Sequence, residues 1–156
     1  MKYKNDVWQM TASDLVAHSS CDHLMMLEKQ VAVGDLKKPE HYDPLLEILR
    51  ERGQRHESAY LDYLRSEGLE ITTIPGSEVS DKSVQKTVDA MQAGHPVIAQ
   101  AALRDGRWSG RADVLLRVEA NSALGDWSYE VVDTKLSRET KGGTIIQLCL
   151  YADLLS

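Results

Sequence analysis

Apolar positions along this chain recur first at helical spacing and later in strict alternation. Thr11 or Ser13 is placed to cap a first short helix through Leu15 and Val16, and a second helical stretch carrying Leu24, Met25, Leu27 and Val31 ends at Gly34. The polar segment D-L-K-K-P-E-H-Y-D-P follows, with Asp43 as the cap of a long helix and Pro44 in its first turn. That helix has Leu45, Leu49, Tyr60, Leu61 and Leu64 as its apolar positions, Gly53 as a point of breakage or bending, and Gly68 as its close. Residues 69–74 alternate as a strand before Pro75-Gly76. Ser80 or Asp81 opens a further helix with Val84, Val88 and Met91 on one stripe, closed by Gly94.

The second half is extended. Residues 97–103 read as a strand and Asp105-Gly106 as a hairpin turn. In the partner strand, residues 108–119, Ala112, Val114, Leu116 and Val118 face one way and Asp113, Leu115 and Arg117 the other. A turn over 120–126 leads to a strand over 127–135, and a last helix begins at Thr144. The order is helices, strand, helix, three strands in a meander, helix. It predicts an α/β domain with a mixed central β-sheet flanked by helices, without internal repeats or low-complexity segments.

Composition narrows the function classes. The 156 residues suit one domain, 1–156, and the 42% hydrophobic and 27% charged shares are those of a globular chain. The net charge of −6 offers no overall basic field for nucleic acid, yet it does not exclude an enzyme that holds phosphates locally through metal ions. Two cysteines, Cys21 and Cys149, are too few for a disulfide framework and suggest a reducing compartment. The start M-K-Y-K-N-D-V-W-Q-M has no apolar core for a signal peptide, and no run approaches membrane-spanning length, so a cytoplasmic protein without a membrane partner is expected. The apolar helix over 147–155 reaches Ser156 without a cap, which reads as an N-terminal fragment of a longer polypeptide.

The candidate chemistry lies in W-S-Y-E-V-V-D-T-K, residues 127–135, where period-two alternation puts Asp133 and Lys135 on the face that carries Tyr129 and Val131. Asp113, in G-R-A-D-V-L-L, sits on the preceding strand, so antiparallel pairing is able to bring the two carboxylates together. Convergent carboxylates repel, and a hard divalent cation such as Mg²⁺ or Mn²⁺ resolves the repulsion while taking substrate phosphate as a further ligand. Lys135 is then placed to orient or deprotonate a metal-bound water. That is machinery for phosphodiester hydrolysis. The same D-x-K spacing in Asp35-Leu36-Lys37 lies in a loop-like, proline-adjacent stretch and carries no such context.

G-R-A-D, then E-V-V-D-T-K, then Q-L-C-L-Y resembles the PD-(D/E)xK nuclease superfamily, in its RecB-like and CRISPR-associated exonuclease branch. The motifs of that branch appear in order as Gly53…His56, Asp113, Asp133…Lys135 and Gln147…Tyr151, and the stretch from Ser13 to His23 resembles the start of RecB-like nucleases joined to helicase regions. The resemblance implies a restriction-endonuclease-like core and a divalent-metal-dependent deoxyribonuclease, an exonuclease on single-stranded DNA or DNA ends. It implies His56, Asp113, Asp133 and the Thr134 carbonyl as metal ligands, with Glu57 the alternative to His56, and Lys135 as the catalytic amine. Gln147 and Tyr151, four apart on one helix face, contact DNA or brace the site, and Arg111 reaches a phosphate or a sheet neighbour. Many relatives add an iron–sulfur cluster; Cys21 stands where its first ligand would be, but the later cysteines do not occur, and Cys21 is expected to be a small buried hydrophobe. DNA and a fused or associated helicase are the implied partners. Two rival readings remain: a catalytically silent nuclease-like module that binds DNA or protein, and an interaction domain without a nucleic-acid role.

Overall fold

A computed structural model describes residues 1–4, 6–40, 42–137 and 139–156. A two-stranded antiparallel hairpin, β1 (Lys2–Lys4) and β2 (Val7–Gln9), leads into α1 (Ala12–Ser20) and α2 (Asp22–Val33). The long α3 (Pro44–Ser66) is followed by β3 (Ile71–Thr73), α4 (Asp81–Gln92), β4 (Val97–Asp105), β5 (Trp108–Val118), β6 (Ser128–Val132) and α5 (Gly142–Asp153). The main sheet has the order β3-β4-β5-β6, with β3 parallel to β4 and the other two pairings antiparallel. This is the expected α/β class, a mixed sheet flanked by helices.

Local signals account for most of the element ends. Thr11 donates from both its main-chain N–H and its hydroxyl to Asp14 Oδ2, each at 2.8 Å, fixing the first turn of α1. Gly34 ends α2 with φ of 90°, and the Asp43 carboxylate accepts from the N–H of Leu45 at 2.9 Å beside Pro44. The β1–β2 hairpin was not expected from the pattern. It is docked by main-chain bonds around Met10, whose N–H donates to the Arg107 carbonyl at 2.8 Å and whose carbonyl accepts from Ser109 at 2.9 Å.

The sheet is covered on both faces. One face buries Ile98, Leu103, Leu115 and Tyr129 against Ala90 of α4 and Leu150 and Tyr151 of α5, with Ala12 of α1 in the same cluster. The other face packs Val97 and Val114 on Leu64 of α3, joined by Tyr60, Leu61, Leu116 and Val132.

Several expectations need correction. Helix α3 runs unbroken through Gly53, and only its C-terminal half meets the sheet; Leu45 and Leu49 are exposed. The buried stripe of α4 is Ser83, Thr87 and Ala90, one position away from the expected Val84-Val88-Met91, because Thr87 Oγ1 bonds into the sheet, accepting from the N–H of Ala102 at 2.9 Å. Strict alternation fails in β5, where Ala112 shares a cluster with Leu115 while Val114 joins the opposite one. The cause is beside it: β4 pairs Ala99 with Val114 and Ala101 with Ala112, and the Gln100 between them has φ of 54°, which disturbs the period of two. Cys21 is exposed, since it sits at the junction of α1 and α2 instead of inside either helix.

Candidate active site

Strand β6 ends at Val132, earlier than the sequence pattern suggests, so Asp133, Thr134 and Lys135 leave the sheet at its end. The β5–β6 register pairs Val114 with Val132 and Leu115 with Val131. One further step of that register sets Asp113 opposite Asp133, and directly opposed residues of antiparallel strands project to the same face. Thr134 locks this arrangement: its main-chain N–H donates to Asp113 Oδ2 at 3.1 Å and its hydroxyl to the same oxygen at 3.3 Å.

Asp133 is the centre of the cluster, with its side chain 3% exposed. Its Oδ1 meets Lys135 Nζ at 2.8 Å and accepts from Gln147 Nε2 of α5 at 3.3 Å, while Oδ2 is buried with no hydrogen-bond partner. Burial raises the pKa of this carboxyl, the Lys135 amine opposes that shift, and the neighbouring Asp113 adds to it. Lys135 itself is 43% exposed, so its amine bridges the buried carboxylate and the solvent.

Tyr151, one turn beyond Gln147, is buried against Gly110 so closely that a Cβ there would lie 2.2 Å from its Cε1. Burial pushes the Tyr151 hydroxyl up, and the charges of Asp113 and Asp133 push it the same way. Arg111, beside Gly110, donates from Nη2 to the carbonyls of Ile74 (2.7 Å) and Gln100 (2.5 Å) and from Nη1 to that of Glu78 (3.3 Å). It therefore joins β5 to β4 and to the segment after β3, and burial lowers its pKa.

The structure thus brings together Asp113, Asp133, Thr134, Lys135, Gln147 and Tyr151 from the middle of β5, the segment just after β6, and α5. It leaves His56 outside. His56 is exposed on α3, and among the described residues no three of His, Cys, Asp and Glu converge as a metal-ligand group. The neighbouring Glu57 is not at the carboxylate pair either; its Oε1 accepts from Gln100 Nε2 at 2.5 Å. Asp35 and Lys37, of the other D-x-K, lie in an exposed turn where Lys37 pairs with Glu40 at 3.0 Å. Gln100 is a residue that the pattern did not single out. It holds a left-handed backbone opposite Asp113, and the available signal was one polar side chain inside the apolar run V-I-A-Q-A-A-L.

The donor set fits a hard divalent cation in part. Two carboxylates converge, and one of their oxygens is buried without a partner. Asp113 and Asp133 are the residues that would hold such an ion. No helix among the described residues is long and apolar enough to cross a membrane. Comparison of the chain with family models, with curated proteins and with solved structures returned no match.

Proposed function

We propose that the chain is a divalent-metal-dependent deoxyribonuclease with a restriction-endonuclease-like core, acting as an exonuclease on single-stranded DNA or DNA ends. The observation that carries the reading is the buried, unpartnered Oδ2 of Asp133 beside Asp113 and Lys135. A salt bridge alone would not require a second, half-buried carboxylate or leave an acceptor empty. The order of the motifs that resemble the PD-(D/E)xK superfamily supports it independently.

Asp113 and Asp133, with the Thr134 carbonyl, would hold Mg²⁺ or Mn²⁺, which when bound would supply an acidified water and neutralise charge on the phosphoryl oxygens. The chain's own residues do the rest. Thr134 aims Asp113 through its N–H and hydroxyl, and Gln147 fixes the rotamer of Asp133. Lys135 Nζ, held at Asp133 and open to solvent, is positioned to orient the attacking water. Tyr151 fills the space over Gly110. With a net charge of −6, the domain draws its DNA affinity from this site and from a larger assembly, such as a fused or associated helicase.

The test is cleavage of end-labelled single-stranded and duplex DNA with Mn²⁺, wild type against Lys135→Ala, with thermal stability measured in parallel. Cleavage by the wild type alone supports the reading. Equal cleavage by both proteins removes Lys135 from the mechanism. DNA binding by the wild type with no cleavage favours the second reading, a silent binding module, to which the outlying position of His56 also points.

A further inference from the structure

The two edges of the main sheet are finished differently. On one side β3 is only three residues long and offers little to pair with. On the other, β6 runs for five residues, S-Y-E-V-V, and among the described residues no strand pairs with its outer side. Such an edge leaves alternate N–H and C=O groups open to another chain unless charges, prolines or bulges blunt it. β6 has no proline and a single charge, Glu130.

The space beside this edge suits side chains. Between β6 and α5 lies a groove of about 390 Å³, walled by Tyr129 and Val131 from the strand and by Leu148, Cys149, Ala152 and Leu155 from the helix. The four helix residues form a stripe of their own, apart from Leu150 and Tyr151, which pack on the sheet. Tyr129 and Val131 belong to the cluster on the α5 side, whereas Val132 packs on the α3 side. Period two therefore turns Glu130 to the α3 face, where it is exposed. Its cross-strand neighbour on β5 is Leu116, so the sheet itself supplies no charge opposite it.

We propose that the outer edge of β6 is a strand-addition site for an extended segment of a partner protein, apolar at alternate positions and basic opposite Glu130. Main-chain hydrogen bonds to the open edge supply affinity, and the alternate apolar side chains enter the groove beneath α5. A lysine or arginine between them lies on the other face and answers the Glu130 carboxylate. A second copy of this chain is the poorer occupant. Two β6 strands paired symmetrically about their centre set Glu130 against its own copy, and like charges directly opposite are destabilising. The site uses neither the carboxylate pair nor Lys135, so it stands or falls apart from the nuclease reading.

The two cysteines provide the readout. Both are exposed; Cys149 lines the groove, and Cys21 sits far from it in sequence, at the junction of α1 and α2. Their alkylation by N-ethylmaleimide is followed by mass spectrometry while the end-capped peptide T-V-K-V-T is added up to a concentration on the order of 1 mM. The peptide should slow Cys149 saturably, by about tenfold when bound, and leave Cys21 unchanged. N-methylation of its three central residues, which removes the donors on both of its edges, should abolish the protection. Replacing its lysine by glutamate should weaken binding by about threefold, and Glu130→Lys, an exposed substitution, should invert that preference. No protection of Cys149, equal slowing of both cysteines, protection that survives N-methylation, or the same lysine preference in Glu130→Lys overturns the proposal. Protection of Cys149 that grows with protein concentration in the absence of peptide would give the edge to a second copy and overturn it as well.

Discussion

The main-chain N–H of Thr134 donates to Asp113 Oδ2 at 3.1 Å, so the residue between Asp133 and Lys135 orients the carboxylate of the neighbouring strand. Two acidic groups twenty residues apart are thereby held as a pair before any ion arrives. Adding Mn²⁺ at about 100 times its dissociation constant should stabilise the wild type by about 2.7 kcal/mol, roughly 5–11 °C in melting temperature for a chain of this size. Asp113→Asn keeps the acceptor for Thr134 but removes a charge, and it should abolish most of that shift. An equal shift in Asp113→Asn, measured by thermal melting with and without Mn²⁺, would place the cation elsewhere.

Asp133 sets a pH dependence with a definite sign. Its folded pKa is raised above the ordinary 3.8, mainly by burial, so the fold prefers the neutral carboxyl. That preference contributes stability below the unfolded pKa and is lost as pH rises through the folded one; at neutral pH the ionised, metal-free carboxylate is a net cost. Asp133→Asn should therefore raise the metal-free melting temperature at pH 7, and the advantage should vanish in acid near the ordinary value. A variant less stable than wild type at pH 7 in EDTA would show that the Lys135 pairing outweighs the burial.

Gly110 and Tyr151 form a packing unit. Gly110→Ala drives a Cβ into the Tyr151 ring and should cost about 1–3 kcal/mol in urea denaturation. Combined with Tyr151→Ala, the loss should fall short of the sum of the single variants by more than about 1 kcal/mol. Strict additivity would mean that the ring does not occupy that space.

The buried stripe of α4 is testable against the stripe expected from hydrophobicity. Thr87→Val removes the hydroxyl to which the buried N–H of Ala102 donates, and should cost about 1–3 kcal/mol. Val88→Thr, on the exposed neighbouring position, should stay within about 0.5 kcal/mol by chemical denaturation. The reverse ranking would restore the apolar stripe as the packed face.

Much of this architecture was legible along the chain. Asp43-Pro44, Ser80, Asp105-Gly106 and Gly34 are punctuation whose effect is local, acting through a capping oxygen, a fixed φ or a left-handed residue, and the elements begin and end where they predict. Asp113, Asp133 and Lys135 were likewise readable as one set, because antiparallel register is a short-range rule that carries over into space, while Gln147 and Tyr151 joined them through the resemblance.

His56, Gln100, Arg111 and Thr87 were decided by tertiary contacts. A helix periodicity names a face but not how far along its length that face finds a partner, and α3 meets the sheet only near Tyr60, Leu61 and Leu64, leaving the earlier leucines and His56 in solvent. Nothing local told Gln100 to adopt a left-handed backbone, Thr87 to bond into the sheet, or Arg111 to surrender its donors to main-chain carbonyls; each follows from which strand lies beside it. The amino-acid order alone determined the elements and the pairing of the two carboxylates, since both depend on neighbours in the chain or across one turn. Which side chains complete the site depended on packing between segments far apart in sequence, where burial and the supply of acceptors are set only once the sheet is assembled.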